Sequence, residues 1–279
     1  MKIHSIKLAL SIISSVSLIT SLPGKVVAIT KPPLEIATPG ISIAQTQQVT
    51  DVELLAKTIN NFFKSNRYLT KSKSLLKGNF DGFNFQFEIN TQNILQSDGK
   101  FRSEITVMQE ESTQSTALVI SDGKQVWIYR PDLKQYSVSS YKKFQANDKE
   151  SFLRGISSLI FLEVPEDTRK TMANEVNEQV LKELGLNDIK QETRTVAGEN
   201  LSVYIHEDKE REMTIRGFIQ PETGNLKQME ISGEFEGVNV VITEQILQRT
   251  ADPIIDAQTF TFKPPSGVKK VNDLPILRF

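Results

Sequence analysis

Apolar residues recur along this chain in two rhythms. Val52, Leu55, Ile59, Phe62 and Phe63 fall at helical spacing. Thr50-Asp51-Val52-Glu53 precedes them with the spacing of a capping box, in which the Thr50 hydroxyl and the Glu53 carboxylate answer free amides. Beyond this helix the period drops to two. Phe83, Phe85, Phe87 and Ile89 alternate with Asn84, Gln86 and Glu88, and Phe101, Ile105 and Val107 alternate with Arg102, Glu104 and Thr106. Ala117–Ile120 and Gln125–Tyr129 flank Ser121-Asp122-Gly123-Lys124, a hairpin whose Asp-Gly supplies positive φ. Arg130-Pro131-Asp132 predicts a further turn, and Gln135–Ser139 a further strand.

Two helices interrupt the strands. Asp148 is placed to cap Lys149–Leu162, where Phe152, Ile156, Leu159 and Ile160 share a face. Pro165 starts a second helix that runs to Leu184-Gly185, with Met172, Val176, Val180 and Leu184 on one side. Alternation then resumes through Leu201, Val203 and Ile205, Met213 and Ile215, Met229, Ile231 and Phe235, and Val238, Val240 and Ile242. Phe260 and Phe262 predict a last strand, ended by Pro264-Pro265-Ser266-Gly267. So long a meander with one greasy face must twist and curl. The expected fold is mainly β (α+β): a curved antiparallel half-barrel sheet with helices covering the apolar concave face.

The N-terminus changes the picture of where this fold works. Lys2 and Lys7 precede an uncharged run from Leu8 to Gly24, and Val26-Val27-Ala28 offers small residues for cleavage. We read 1–28 as a signal peptide, 29–49 (with Pro32-Pro33 and Pro39-Gly40) as a flexible linker, and 50–279 as the folded domain. Cleavage at Ala28 removes three lysines, so 30 basic residues face 34 acidic ones and the net charge moves from −1 to −4. That weak acidity gives no reason to expect nucleic acid as a partner. The chain has no cysteine, so an exported form has no disulfides and no acylated lipobox Cys.

Catalytic chemistry is thin. His206 is the one histidine after the signal, and Glu207-Asp208 follow it. It reads either as a carboxylate-held general base or as a strand-end surface residue, and no nucleophile motif accompanies it. One His and no Cys cannot assemble a zinc-type site, so no metal and no cofactor are expected. Glu234 and Glu236 alternate with Phe235 as the wet side of a strand would. The lysines of 64–77 read as a solvated strand face, or as contacts for phosphate or headgroups. Trp127 and Tyr129 point opposite to Val126 and Ile128, so that strand is apolar on both sides. Such a surface either packs a core or lines a dry cavity able to take an acyl chain.

Three stretches then resemble the outer-membrane lipoprotein carrier (LolA-like) family. Ser121-Asp-Gly-Lys-Gln-Val-Trp-Ile-Tyr129 through Gln135 is similar to its S-D-G-K…Y-x-P segment, Thr223-Gly-Asn-Leu-Lys-Gln228 to a late turn, and Phe260-Thr-Phe-Lys-Pro-Pro-Ser-Gly-Val268 to its closing motif. The resemblance implies a curved half-barrel with a helical lid, and a periplasmic chaperone that moves lipoprotein acyl chains between membranes. Carriers often place Arg-Pro before a strand Phe to tie down the lid, whereas Ser97-Asp98 stand at that spacing before Phe101 here. We therefore expect a non-enzymatic, monomeric periplasmic carrier for lipoproteins or lipids, with inner- and outer-membrane transfer proteins as partners. The alternative is an envelope regulator that binds a protein partner and senses lipid. The expected ligand-binding face comprises Phe85, Phe87, Ile105, Val107, Trp127, Tyr129, Ile231, Phe235 and Val240.

Overall fold

The computed structural model describes residues 51–276 except 81–82, 110–112, 148–149, 184–185, 187 and 236–237. The signal peptide and linker expected over 1–49 lie outside these residues. Helix α1 (Val52–Phe63) leads into β1 (Arg67–Phe80), β2 (Phe83–Gln96), β3 (Lys100–Gln109), β4 (Thr113–Asp122), β5 (Gln125–Arg130) and β6 (Gln135–Ser140). Four short helices follow after β6: α2 (Tyr141–Asn147), α3 (Ile156–Glu163), α4 (Glu166–Asn174) and α5 (Glu178–Glu183), with a 3₁₀ turn at Ser151–Arg154. The chain then forms β7 (Lys190–Val196), β8 (Glu199–Asp208), β9 (Met213–Gln220), β10 (Asn225–Phe235), β11 (Val238–Ala251) and the two-residue β12 (Lys269–Lys270).

All twelve strands join one open, curved sheet in the order β12-β6-β5-β4-β3-β2-β1-β11-β10-β9-β8-β7. Neighbours pair antiparallel, as hairpins dictate, except that β12 runs parallel to β6. The mainly-β half-barrel read from the alternation is thus the fold observed. Period two sends Leu76, Phe87, Ile89, Ile105 and Val107 to one face, where they meet Leu54, Phe62, Phe152, Phe161 and Met172 of the helical segments in a single core. Leu201, Val203 and Phe218 form a smaller cluster on the opposite face of β8 and β9.

Several local expectations are corrected. The α1 cap is Asp51, whose side chain accepts from Leu54 N at 2.9 Å. Thr50 lies outside the described residues, and the Asp51 amide goes to the Gln191 side chain of β7 instead of to Glu53. The helix expected over 149–162 breaks at Gly155, whose φ of 86° separates the 3₁₀ turn from α3, and Asp148 is not described. The next helix divides into α4 and α5 because Asn177 starts a new one, accepting from Val180 N at 3.1 Å. The strand expected at Phe260 and Phe262 is absent. β11 stops at Ala251, before positive-φ Asp252 and Pro253, and 252–268 cross the sheet as an irregular strap.

Candidate functional site

The inner, helix-covered face collects most of the predicted binding residues. Phe87, Ile105, Val107, Ile231 and Val240 are all buried there in the common core. Phe85 lies on the same face, half-buried at its end. Trp127 and Tyr129 lie on the other face. In the register of β5 with β4 and β6, Val126 and Ile128 join the inner core, and Trp127 pairs with Ile120 and Val138 outside. Tyr129 and Tyr136 there flank Phe262 of the strap, with ring centroids 5.6 and 5.5 Å away. Phe235 pairs through its backbone with Val238, and its side chain lies outside the described residues.

A cleft of about 720 Å3 opens at the Phe85 end of the inner face. Phe85 and Val240 supply apolar wall, and Lys77, Asn79, Asn84, Glu212, Glu234 and Asn239 supply a polar margin. Gly78 makes this geometry possible. The Phe85 ring lies so close to it that a Cβ there would sit 2.1 Å from Cζ.

Towards the middle of the strands the inner face turns polar. Thr70, Ser72, Ser74, Thr91, Asn93, Ser103 and Glu244 are all buried beneath the 3₁₀ turn and α3. Asn93 Nδ2 donates to the Arg154 carbonyl at 2.7 Å and to Ser158 Oγ at 2.9 Å. Glu244, fully buried, accepts from Ser157 N at 2.7 Å through Oε2 and from Ser157 Oγ at 2.9 Å through Oε1. Burial pushes the Glu244 carboxyl above the usual carboxylate range, although bonds from Ser157 and Ser72 favour the charged form. The Arg154 guanidinium lies 4.9 Å from the Phe101 ring centroid and 5.2 Å from that of Phe144. The cover is thus tied to the sheet by groups on strands and on the cover itself. The resemblance placed that tie at the β2–β3 turn, where Ser97-Asp98 stand.

Sequence reasoning missed Asn93 and Glu244. Only Glu244 left a signal, as a carboxylate in the inward slot of the Val240, Ile242, Ile246 alternation. His206 sits half-buried opposite Ile215, and the acids after it are committed to cations: Glu207 to Lys190 at 2.7 Å and Asp208 to Arg211 at 2.5 Å. Neither holds the imidazole as a carboxylate-supported base requires. Lys71, Lys73 and Lys77 are exposed on the outer side of β1, with Lys73 Nζ 2.6 Å from Glu88 Oε2. Among the described residues no group of three or more His, Cys, Asp or Glu is placed to hold a metal, and no helix is long and apolar enough to cross a membrane.

No family model matches the chain. Its sequence is 26% identical over 156 residues to the outer-membrane lipoprotein carrier protein of Nitrosomonas europaea, covering 56% of this chain and 62% of that protein. The likeness is to a LolA-like carrier protein. The match spans less than two thirds of the carrier's own length. Among solved structures the chain is similar to LprF from Mycobacterium bovis (TM-score 0.38, 12% identity, 73% of this chain and 93% of that one). It is also similar to MucB (0.35, 13%, 76% and 63%). A LolA superfamily protein from Nitrosomonas europaea is similar as well (0.28, 10%, 76% and 98%).

Proposed function

We propose that this LolA-like chain is an exported, non-catalytic binding protein of the bacterial envelope that holds acyl chains of lipoproteins or lipids against the inner face of its sheet. The observation that carries the reading is the nature of the cover. Phe87, Ile105, Val107, Ile231 and Val240 form an apolar surface roofed by short helical pieces rather than by a second sheet, and the roof is hinged at Gly155. An acyl chain that enters between the sheet and Phe152, Leu153 and Phe161 keeps those side chains covered by its own methylenes, and its entry has to break the Asn93 and Glu244 bonds to the cover. Each methylene received gains about 0.8 kcal/mol. Phe85 and Val240 at the cleft are the entry. In this reading residues 1–28 are cleaved on export, 29–49 stay as the linker ahead of the domain, and the protein works in the periplasm as a monomer between membrane transfer proteins.

Native mass spectrometry of the mature protein purified gently from its own envelope, with extraction of bound material, tests this. A co-purifying acylated peptide supports a lipoprotein carrier, and free phospholipid or glycolipid supports a lipid shuttle. A clean apo mass together with no uptake of a fluorescent fatty acid overturns both.

A further inference from the structure

At the far end of the inner face from the Phe85 cleft, a second recess of about 270 Å3 opens where α1 crosses β10 and β11. Its lining carries three cations, Lys64 after α1, Lys227 on β10 and Arg249 on β11, and no carboxylate among the described residues. Arg249 reaches the inner face because β11 bulges. Lys71 pairs with Gln248 and Ser72 with Ile246, leaving Leu247 unpaired. One extra residue reverses the alternation beyond it, so Arg249 turns inward where unbroken period two would have placed Gln248.

The guanidinium is held but not neutralised. Its carbon lies 3.8 Å from the Tyr68 ring centroid and 4.0 Å from that of Phe62. Nη1 donates to Thr70 Oγ1 at 3.2 Å and Nη2 to the Phe62 carbonyl at 3.0 Å, while Nε has no partner among the described residues. A guanidinium offers five N–H donors, and rings and carbonyls leave its charge uncancelled. Burial lowers its pKa to about 10, so the group stays charged at neutral pH. Glu244, the acid that acts on it through space, spends its hydrogen bonds on Ser157 and Ser72, and burial favours its neutral form. Lys227 has only a 3.5 Å contact with Glu199.

We infer that this recess binds a phosphate-type oxyanion, either the headgroup of an acidic lipid or free phosphate, with Arg249 at its floor and Lys64 and Lys227 at its rim. Arginine is suited to the floor because its planar fork matches the oxygens of a tetrahedral anion. The two lysines act as mobile point charges that close over the anion. From Val240 to Arg249 the strand covers roughly 30 Å at about 3.3 Å per residue. The strand is therefore long enough for a lipid held here by its phosphate to lay its chains along the inner face when the cover lifts. That last step rests on the acyl-binding reading, whereas the anion site does not.

The test is isothermal titration calorimetry of the mature protein with inorganic phosphate and with dihexanoyl phosphatidic acid. Arg249 also packs on two rings and its loss threatens folding, so the informative variant is Lys64→Gln/Lys227→Gln at the exposed rim. We expect saturable binding in the wild type and about tenfold weaker binding in the double variant. Phosphatidic acid binding at least tenfold tighter than phosphate assigns the site to a headgroup, and equal affinities assign it to the free anion. No saturable heat with either probe, or affinities that the double variant leaves unchanged, overturns the proposal. Uptake of a fluorescent fatty alcohol, which carries no anion, is measured alongside. It reports on the acyl-binding face alone and keeps failure there separate from failure of the anion site.

Discussion

Glu244 caps a helix from across the core: its carboxylate receives both the backbone N–H and the hydroxyl of Ser157 in the first turn of α3. The N-cap position of that helix is Gly155, which has no side chain to do so. Burial raises the Glu244 pKa in the folded chain above its unfolded value. The sign follows from proton binding. Between the ordinary carboxylate pKa and the raised one the folded state binds more protons, so stability present at low pH is lost as pH rises through that window. We expect Glu244→Gln to match the wild type near pH 4 and to exceed it in melting temperature near pH 8. Glu244→Ala, which strands the Ser157 donors, should lose about 2–3 kcal/mol at either pH. Thermal melts of the three proteins across pH check this, and a stability difference between Gln variant and wild type that is flat with pH contradicts the sign.

Gly155→Ala meets two obstacles at once. The φ of 86° disfavours any side chain, and a Cβ there would sit 2.4 Å from Glu244 Oε1. The expected cost is about 2–4 kcal/mol in a urea titration. A midpoint equal to that of the wild type would mean that the hinge is not held against Glu244.

Trp127 is the sole tryptophan and lies on the outer face. Its emission should therefore stay unchanged when an acyl ligand fills the inner face, and Trp127→Ala should keep full binding. Phe87→Ala should lose about 3–4 kcal/mol of stability and weaken ligand uptake together. A ligand-dependent shift in tryptophan emission would place the ligand outside the sheet.

Arg130 anchors the segment that follows β12. Its buried guanidinium donates to the Ile276 carbonyl at 3.0 Å and pairs with Asp132 at 2.6 Å, while the Ile276 amide donates to Glu150 at 2.6 Å. The Arg130 side chain holds the Asp132 carboxyl below its usual range. The pair therefore adds stability above the ordinary aspartate pKa, and that contribution fades as pH falls through the depressed value. Arg130→Ala should cost about 2–4 kcal/mol and speed amide exchange at Leu274 and Ile276. Unchanged exchange at those two amides would assign the anchoring to packing alone.

The alternation of aromatic and aliphatic residues made the strands and the curled sheet legible, because one buried face writes a period of two directly into the sequence. The polar seam was hidden for the opposite reason. In the middle of β1 the inward residues are Thr70, Ser72 and Ser74, so a buried face looked as wet as the lysines alternating with it. Arg249 was beyond reach because a bulge at Leu247 reverses which residues face inward, and no local pattern announces a bulge. The breaks at Gly155 and Asn177 were missed where apolar spacing continued across them. The helix period records which side is greasy but not the backbone angle at a single residue. Trp127 and Tyr129 sat on a strand apolar on both sides, and only the three-dimensional register assigned them to the strap side.

Strand β12 has a consequence for how copies of this protein meet. Growth of a β-sheet by addition of further chains needs two available borders, one to receive a strand and one to offer the next. At the β6 border the strap lays Lys269 and Lys270 alongside, two lysines on a ladder too short to template a neighbour. Among the described residues β7 forms the other border, and β12 covers β6 only at Gln135 and Tyr136. Copies that join β7 to β7 use up that border in both molecules, so growth beyond the pair would have to run through the short, lysine-bearing β12 border.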